Sequence, residues 1–167
     1  MRLLVAALAL LFTPVAHAQF SNRSLGVSLG YMSMNADPLL EWGLPLALES
    51  SLYIENGFEA SMRVPLMLLT EKLTRRQVIA AGGNLGVRHL FSEEQLRPYV
   101  AADLVFLHIF RDNGTSNFFG LGPNFGVDYF AGDTVSLGAR GFFNLYIALN
   151  EPLRTALGAQ AVVSTYF

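Results

Sequence analysis

The sequence predicts an all-β protein, an eight-stranded antiparallel up-and-down transmembrane β-barrel. Three observations lead to this prediction. Turn-forming clusters divide the chain into eight segments of about ten to fifteen residues, longer than the usual strand of about 5–6. Within the segments, apolar residues alternate with small or polar ones, as in strands whose two faces meet different surroundings. The chain is also 52% hydrophobic and only 14% charged, which is unusually apolar for a soluble domain.

The first 18 residues have the three regions of a secretory signal peptide. Arg2 precedes an apolar stretch over residues 3–12, and Ala16-His17-Ala18 matches an A-x-A cleavage site. The apolar stretch is too short to cross a bilayer of about 30 Å as a helix. We therefore expect residues 1–18 to be cleaved and residues 19–167 to form one outer-membrane β-barrel domain, and a buried N-terminal helix is the alternative.

Composition excludes several classes of function. The chain has no cysteine, so it can form neither a disulfide framework nor a thiolate metal site. The two histidines beyond the signal, His89 and His108, are isolated, so no metal site and no cofactor are predicted. A net charge of −2 argues against nucleic-acid binding.

Seven turn signals set the order of the strands. They are NADP from residue 35, ENG from 55, TEKLTRR from 70, SEEQ from 92, RDNGTSN from 111, AGD from 131 and NEP from 150. In the first segment Leu25, Val27, Leu29 and Tyr31 share one face, and serines and glycines occupy the other. The same alternation recurs in the second, third, sixth and seventh segments, which favours strands throughout.

Charged residues within the segments identify the inner face. All seven lie on the face rich in glycine and serine: Glu49, Glu59, Arg63, Arg88, Asp103, Asp128 and Arg140. An eight-stranded barrel has an interior just wide enough for side chains, so small residues and charges fit inside and the Leu, Val and Phe face fits lipid. A soluble ligand-binding barrel would show the opposite arrangement.

These seven residues are predicted to form a polar network in the lumen, because charges enclosed there need partners. A salt-bridged plug that specifies the strand register is the favoured interpretation, and a gated narrow conduit is the alternative. A three-residue turn at Glu55-Asn56-Gly57 would place Glu49 opposite Arg63 and Tyr53 opposite Glu59.

Two further expectations concern the sixth segment. The same argument from parity around Ala131-Gly132-Asp133 places Asn124 opposite Arg140. Pro123 lies in the middle of this segment, where it removes a hydrogen bond from the ladder. We therefore expect a bulge or a local break there.

The chain resembles the small outer-membrane β-barrels of the OmpA- and OmpX-like kind from Ser24 to Phe167. Besides the strand pattern, the resemblance rests on RPYVAADL at residues 97–104 and on the final Phe167. It implies that Phe167 belongs to the signal read by the barrel assembly machinery, although Thr165 is weaker than the residue usual at that position. We also expect a monomer in contact with outer-membrane lipid. Lys72, Arg75 and Arg76 of the outer loops are candidates for contact with the anionic headgroups of lipopolysaccharide, and a solvated loop is the favoured interpretation of these residues.

In such barrels short turns face the periplasm and longer loops face outward. The predicted periplasmic turns are residues 55–57, 92–96 and 131–133, and the predicted outer loops, with Trp42 in the first, are 35–42, 70–76, 111–117 and 149–153. Aromatic residues should mark both membrane rims. At the periplasmic rim these are Phe58, Phe91, Tyr129 and Phe167, and at the outer rim Tyr31, Phe110 and Phe119.

An envelope structural or surface-interaction role without enzymatic activity is the favoured function. A narrow channel for small solutes is the alternative. A lipid A-modifying enzyme is less favoured, because the deacylases that this family includes carry a His-x-Ser-Asn type motif. His108 is followed by Ile109 and Phe110, and His89 by Leu90 and Phe91, so neither histidine has a nearby nucleophile.

Overall fold

The described residues form a closed antiparallel barrel. The computed structural model describes residues 22–35, 40–71, 74–111, 114–147 and 153–167, so the expected signal peptide lies outside it. Each strand pairs with the next, and β8 pairs with β1, which confirms the predicted fold class. The strands are β1 (Arg23–Asn35), β2 (Leu40–Glu55), β3 (Phe58–Glu71), β4 (Gln77–Leu90), β5 (Leu96–Arg111), β6 (Gly114–Phe130), β7 (Val135–Ile147) and β8 (Arg154–Tyr166). Among the described residues, no helix is long and apolar enough to span a membrane.

The barrel has two ends, which we name by the chain termini. The terminal end carries residues 22 and 167 and the connections 56–57, 91–95 and 131–134. The distal end carries the other four connections, at 36–39, 72–76, 112–113 and 148–153. The strands extend further at the distal end than predicted, so the expected difference in loop length is largely absent.

Several polar residues that were predicted to lie in distal loops belong to strands instead. Thr115, Ser116 and Asn117 pair with β5 as regular members of β6, because a backbone ladder needs no apolar side chain. Trp42 also belongs to a strand, β2, and its ring stacks on Tyr31 with 6.2 Å between centroids. The prediction that Trp42 lies in the first loop was therefore wrong.

The register between β2 and β3 matches the prediction, but the turn differs. Glu49 pairs with Arg63, and Tyr53 with Glu59. Glu55 pairs with Phe58 after a register shift, so the turn has two residues next to a bulge instead of three. Its residues Asn56 and Gly57 both have positive φ angles, 52° and 78°, as a two-residue type I′ turn requires. The bulge adds one residue to the two of the turn, so the side chains of β2 and β3 still face as predicted.

The register predicted between β6 and β7 was wrong by two residues. Asn124 pairs with Phe142, and Arg140 pairs with Gly126. The reason is the length of the connection, since Phe130 pairs with Ser136 and the turn is longer than Ala131-Gly132-Asp133. Five residues lie between the members of this last pair, and that odd number keeps the facing of both strands as predicted.

Proline residues interrupt the ladder without shifting it. Around Pro123, the pairing of β6 with β7 skips from Leu121 to Asn124 and then resumes in the same register. The expected local break is confirmed, and the alternative of a bulge is not. Pro45 and Pro65 coincide with similar gaps in the β1–β2 and β3–β4 ladders, because proline has no N–H to donate.

The exterior of the barrel is an apolar surface with an aromatic rim at each end. Outward residues such as Leu48 and Leu104 are 62% and 65% exposed. The rim aromatics all point outward with exposures from 43% to 63%, at the terminal end Phe58, Phe91, Tyr129 and Phe167 and at the distal end Tyr31, Phe110 and Phe119. A surface this apolar is unfavourable in water and suits a bilayer.

The β2–β3 turn yields a prediction about stability. Gly57→Ala should lower the free energy of unfolding by about 1–2 kcal/mol, because its φ angle is left-handed. The added methyl group would also lie 2.7 Å from the Leu90 carbonyl oxygen. Urea unfolding of the micelle-bound barrel, followed by the fluorescence of its single tryptophan, would measure the change.

The matched control is Gly132→Ala in another terminal-end turn, where an added methyl group meets no atom within 4 Å. Its stability should match the parent protein. Equal stability of the two variants would show that the turn at Gly57 accommodates the added methyl group without a loss in the free energy of unfolding.

Candidate functional site in the barrel lumen

The lumen has two zones with different chemistry. Its terminal half holds what we call the charged lattice, and its distal half is packed with apolar side chains. The structure places all seven of the predicted lumen residues inside the barrel. Five of them are under 7% exposed, and the side chains of Glu49 and Arg88 are each 13% exposed. The charged lattice comprises Glu49, Glu59, Arg63, Arg88, Asp103, Asp128 and Arg140.

Arg88 connects opposite walls of the lattice. Its guanidinium forms ion pairs with Glu59 of the neighbouring strand β3 and, at 3.1 Å, with Asp128 of β6. It also donates to the Tyr166 hydroxyl at 3.0 Å and lies over the Tyr99 ring, 5.1 Å from its centroid. A guanidinium has five donors in a fixed plane, so this one side chain can hold partners from four strands together.

Arg140 makes the second set of contacts. Its ion-pair partner is not the one that the strand register alone would suggest. Its partner is Glu49, with Nη1 at 2.9 Å from Oε2, although Glu49 is the cross-strand neighbour of Arg63. Arg140 also donates to Gln160 at 2.7 Å and to Ser28 at 3.3 Å. The ion pair thus runs across the lumen from β7 to β2, because inward side chains meet partners on the opposite wall.

The third group centres on Asp103. It forms an ion pair with Arg63, and its Oδ2 accepts a hydrogen bond from Asn124 Nδ2 at 2.8 Å. Its other carboxylate oxygen is buried without a hydrogen-bond partner among the described residues. Gly86 allows this approach, since any side chain there would collide with the carboxylate.

The lattice fills the terminal half of the lumen almost completely. Three arginines face four carboxylates, so the enclosed charges nearly balance. The remaining cavity is about 20 Å³ and is lined by Ser24, Ser61 and Tyr99 among others. That is room for about one water molecule.

The distal half of the lumen holds an apolar plug, which sequence reasoning missed. Met32, Leu69 and Ile109 are 0% exposed. The expectation of a small and polar interior therefore applies to the terminal half only. The signal was present, because apolar residues continue at inward positions near the distal ends of the segments. The apolar plug comprises Met32, Met34, Leu40, Met67, Leu69, Val78, Ala80, Val105, Leu107, Ile109, Phe118, Phe142, Tyr146 and Ala156.

At the terminal end the lumen opens into an acidic cleft of about 880 Å³. Glu93, Glu94 and Asp133 line it, together with aromatic rings. Arg97 stacks on one of these, Phe130, with 3.9 Å between its guanidinium carbon and the ring centroid. The cleft reaches the lattice at Glu59.

Both histidines lie on the outer surface of the wall, away from this lumen. His89 packs between the rings of Phe58 and Phe91. His108 is hydrogen-bonded to Asn117 at 2.6 Å. Within the described ranges, no three His, Asp or Glu side chains are grouped so as to hold a metal ion.

A closed eight-stranded barrel with an apolar exterior, two aromatic rims and a filled lumen has the architecture of a small transmembrane β-barrel. No family model and no curated protein sequence matches the chain. Solved structures do match. Neisserial surface protein A has 15% identity, covering 87% of this chain and 97% of that one, with a TM-score of 0.67.

Two barrels of Pseudomonas aeruginosa are also similar. The N-terminal β-barrel domain of OprF has 14% identity over 89% of this chain and 100% of that one, with a TM-score of 0.58. The outer membrane protein OprG has 8% identity over 89% and 98%, with a TM-score of 0.55. These likenesses show a shared fold. Together with the apolar exterior, that fold is the one expected of a barrel that spans a membrane.

The lattice yields a prediction about stability. Arg88→Ala should lower the free energy of unfolding by about 3–5 kcal/mol, because Glu59 and Asp128 would remain buried without their cation. Urea unfolding of the refolded barrel measures the loss. Combining Arg88→Ala with Glu59→Gln and Asp128→Asn should recover part of the lost stability, because the two unpaired buried charges are removed.

Arg75→Ala is the control, since its ion pair with Glu41 is exposed and should contribute at most about 1 kcal/mol. If Arg88→Ala lost no more stability than this control, the lattice would contribute little to the fold.

Proposed function

We propose that the protein is a monomeric, non-enzymatic barrel with a structural or surface-interaction role in the cell envelope, and that its lumen is sealed. The observation that carries this proposal is the pair of seals in series. The apolar plug closes the distal half, and the charged lattice closes the terminal half. Ions crossing the barrel would have to displace both.

The energetics of each seal support a closed lumen. Breaking a buried ion pair such as Arg140–Glu49 costs on the order of 3–5 kcal/mol, and the two groups lie only 2.9 Å apart. The apolar plug offers a passing ion no polar group in place of its hydration shell. A conduit would need both zones to rearrange together.

The orientation that we propose puts the terminal end in the periplasm. The acidic residues Glu93, Glu94 and Asp133 gather at the terminal end, whereas Arg75 and Arg76 lie at the distal end beside the anionic outer leaflet. This orientation agrees with export by a signal peptide at residues 1–18.

A role without catalysis is supported by the surroundings of the histidines. His89 is packed between two phenylalanine rings. His108 has Asn117 as its hydrogen-bond partner. Neither contact supplies the hydroxyl nucleophile that acyl transfer requires.

Conductance in planar bilayers tests the proposed function. The purified protein should show no steady current, because both seals are intact. Arg140→Ala should be equally silent, because it opens the lattice and leaves the apolar plug in place. The lipid A mass spectrum of a deletion strain should also match that of its parent.

Steady conductance of the parent protein would overturn the sealed lumen. Conductance of Arg140→Ala alone would identify the lattice as a gate and favour the narrow conduit. A changed lipid A spectrum that returns to normal on complementation would favour an enzyme.

We also propose that Phe167 is the residue recognised by the barrel assembly machinery. Its backbone exchanges hydrogen bonds with Arg23 at the seam between β1 and β8, and its ring points outward. Phe167→Ala should lower the yield of heat-modifiable barrel in the outer membrane several-fold, measured on unboiled SDS gels. Phe91→Ala removes another exposed aromatic at the same rim and should leave the yield unchanged. Equal yields from the two variants would contradict this assignment.

A further inference from the structure

A cleft of about 760 Å³ lies at the distal rim between the β3–β4 and β5–β6 connections. Two arginines, Arg76 and Arg111, line it, and so do the hydroxyl residues Thr74 and Thr115. The cleft touches the apolar plug at Val78, which lines both, and it contacts none of the residues of the charged lattice. It opens beside the lipid-facing wall, where headgroups of the outer leaflet would lie under the proposed orientation.

The upper part of the cleft suits an anion. Each guanidinium has five donors, so Arg76 and Arg111 can bind a phosphate while each keeps another partner. Among the described residues that line the cleft, Glu71 is the one carboxylate. It accepts a hydrogen bond from the Thr74 hydroxyl at 2.6 Å, and the two arginines outnumber it.

The lower part of the cleft is apolar and continues onto the wall. Ile79 and Phe110 line the cleft and are cross-strand neighbours on the outward face. Below Ile79 on the same face of β4 come Ala81 and Gly83. A methyl group added at Gly83 would meet no atom within 4 Å. These small residues leave a shallow apolar track down the lipid-facing surface.

A second, independent observation lies one outward row below Phe110 and Thr115. There His108 and Asn117 face outward and are hydrogen-bonded to each other at 2.6 Å. The rings of Phe106 and Phe119, 4.8 Å apart, pack together just below them. Polar groups on a lipid-facing wall are unfavourable unless they are satisfied, and they mark functional sites in membrane proteins.

The chemistry of this pair defines what it can bind. The Asn117 carbonyl oxygen can only accept, so His108 Nδ1 is the donor in their hydrogen bond. His108 Nε2 can then accept a second hydrogen bond, and the Asn117 amide nitrogen can donate one. A hydroxyl or an amide of a membrane lipid would match both.

We propose that the cleft and the His108–Asn117 pair form one binding site for a phosphorylated glycolipid of the outer leaflet, of the lipopolysaccharide type. Its phosphate would bind Arg76 and Arg111, and an acyl chain would lie along Ala81 and Gly83. A hydroxyl or amide group near the head of that chain would reach the pair. This inference rests on the orientation in the proposed function.

Native mass spectrometry of the detergent-purified barrel tests the site, with hexa-acylated lipid A as the probe. Arg76→Ala with Arg111→Ala should weaken binding about tenfold, as expected for loss of charge-assisted hydrogen bonds. His108→Leu with Asn117→Leu should weaken it several-fold and keep the apolar wall. Dephosphorylated lipid A should bind the parent protein about tenfold more weakly.

Arg75→Ala is the matched control, because it removes a cation from the same connection whose partner is Glu41, outside the cleft. It should bind lipid A as the parent does. Equal weakening by Arg75→Ala would overturn the site in favour of general attraction between charges. Unchanged binding by both double variants would overturn it outright, as would equal affinity for the dephosphorylated lipid.

A shift in gel mobility on boiling shows that each variant is folded, so lost binding cannot be mistaken for lost structure. Accessibility of Arg76→Cys to a thiol reagent on intact cells tests the orientation separately. If the cysteine is unreactive on intact cells and reactive in permeabilised ones, the proposed orientation fails, whatever the lipid measurements show.

Discussion

Closure of the sheet between β1 and β8 is the constraint on which the rest of the structure depends. In lipid every backbone N–H and C=O group needs a partner within the protein, and only a closed sheet provides one for each strand. Twelve residue pairs, from Ser24–Tyr166 to Asn35–Thr155, join these two strands. Once eight strands have closed, the width of the lumen is set at about the size of packed side chains.

Because the lumen is narrow, side chains occupy most of the interior. Charged side chains occupy the terminal half and apolar side chains the distal half. In the terminal half, Arg88 and Arg140 reach across the lumen, and each enclosed charge has a partner of opposite charge. In the distal half, side chains such as Met32 and Leu69 pack as in the core of a soluble protein. In the proposed function these two zones in series form the barrier to ions, because no single class of solute suits both.

On the exterior, the polar residues that interrupt the apolar surface lie at the rims. Most of the wall is uniformly apolar and could face any lipid. His108 and Asn117 depart from that pattern at the distal rim, next to a cleft that contains two arginines. Functional specificity in a barrel of this size therefore has two possible locations, the mouths and the upper wall, since the lumen is filled.

The turn signals in the sequence determined the strand count. The alternation of residues determined the facing of each strand and the inward position of all seven lattice charges, because parity depends only on position along the chain. It also identified the rim aromatics. Only the tertiary structure decided which charges pair, as in Glu49 with Arg140, and how the inward apolar residues near the distal end pack together. Partners across a lumen depend on barrel closure and on exact turn lengths, such as the connection that moved Asn124 away from Arg140. Neither is encoded in the period of a single strand.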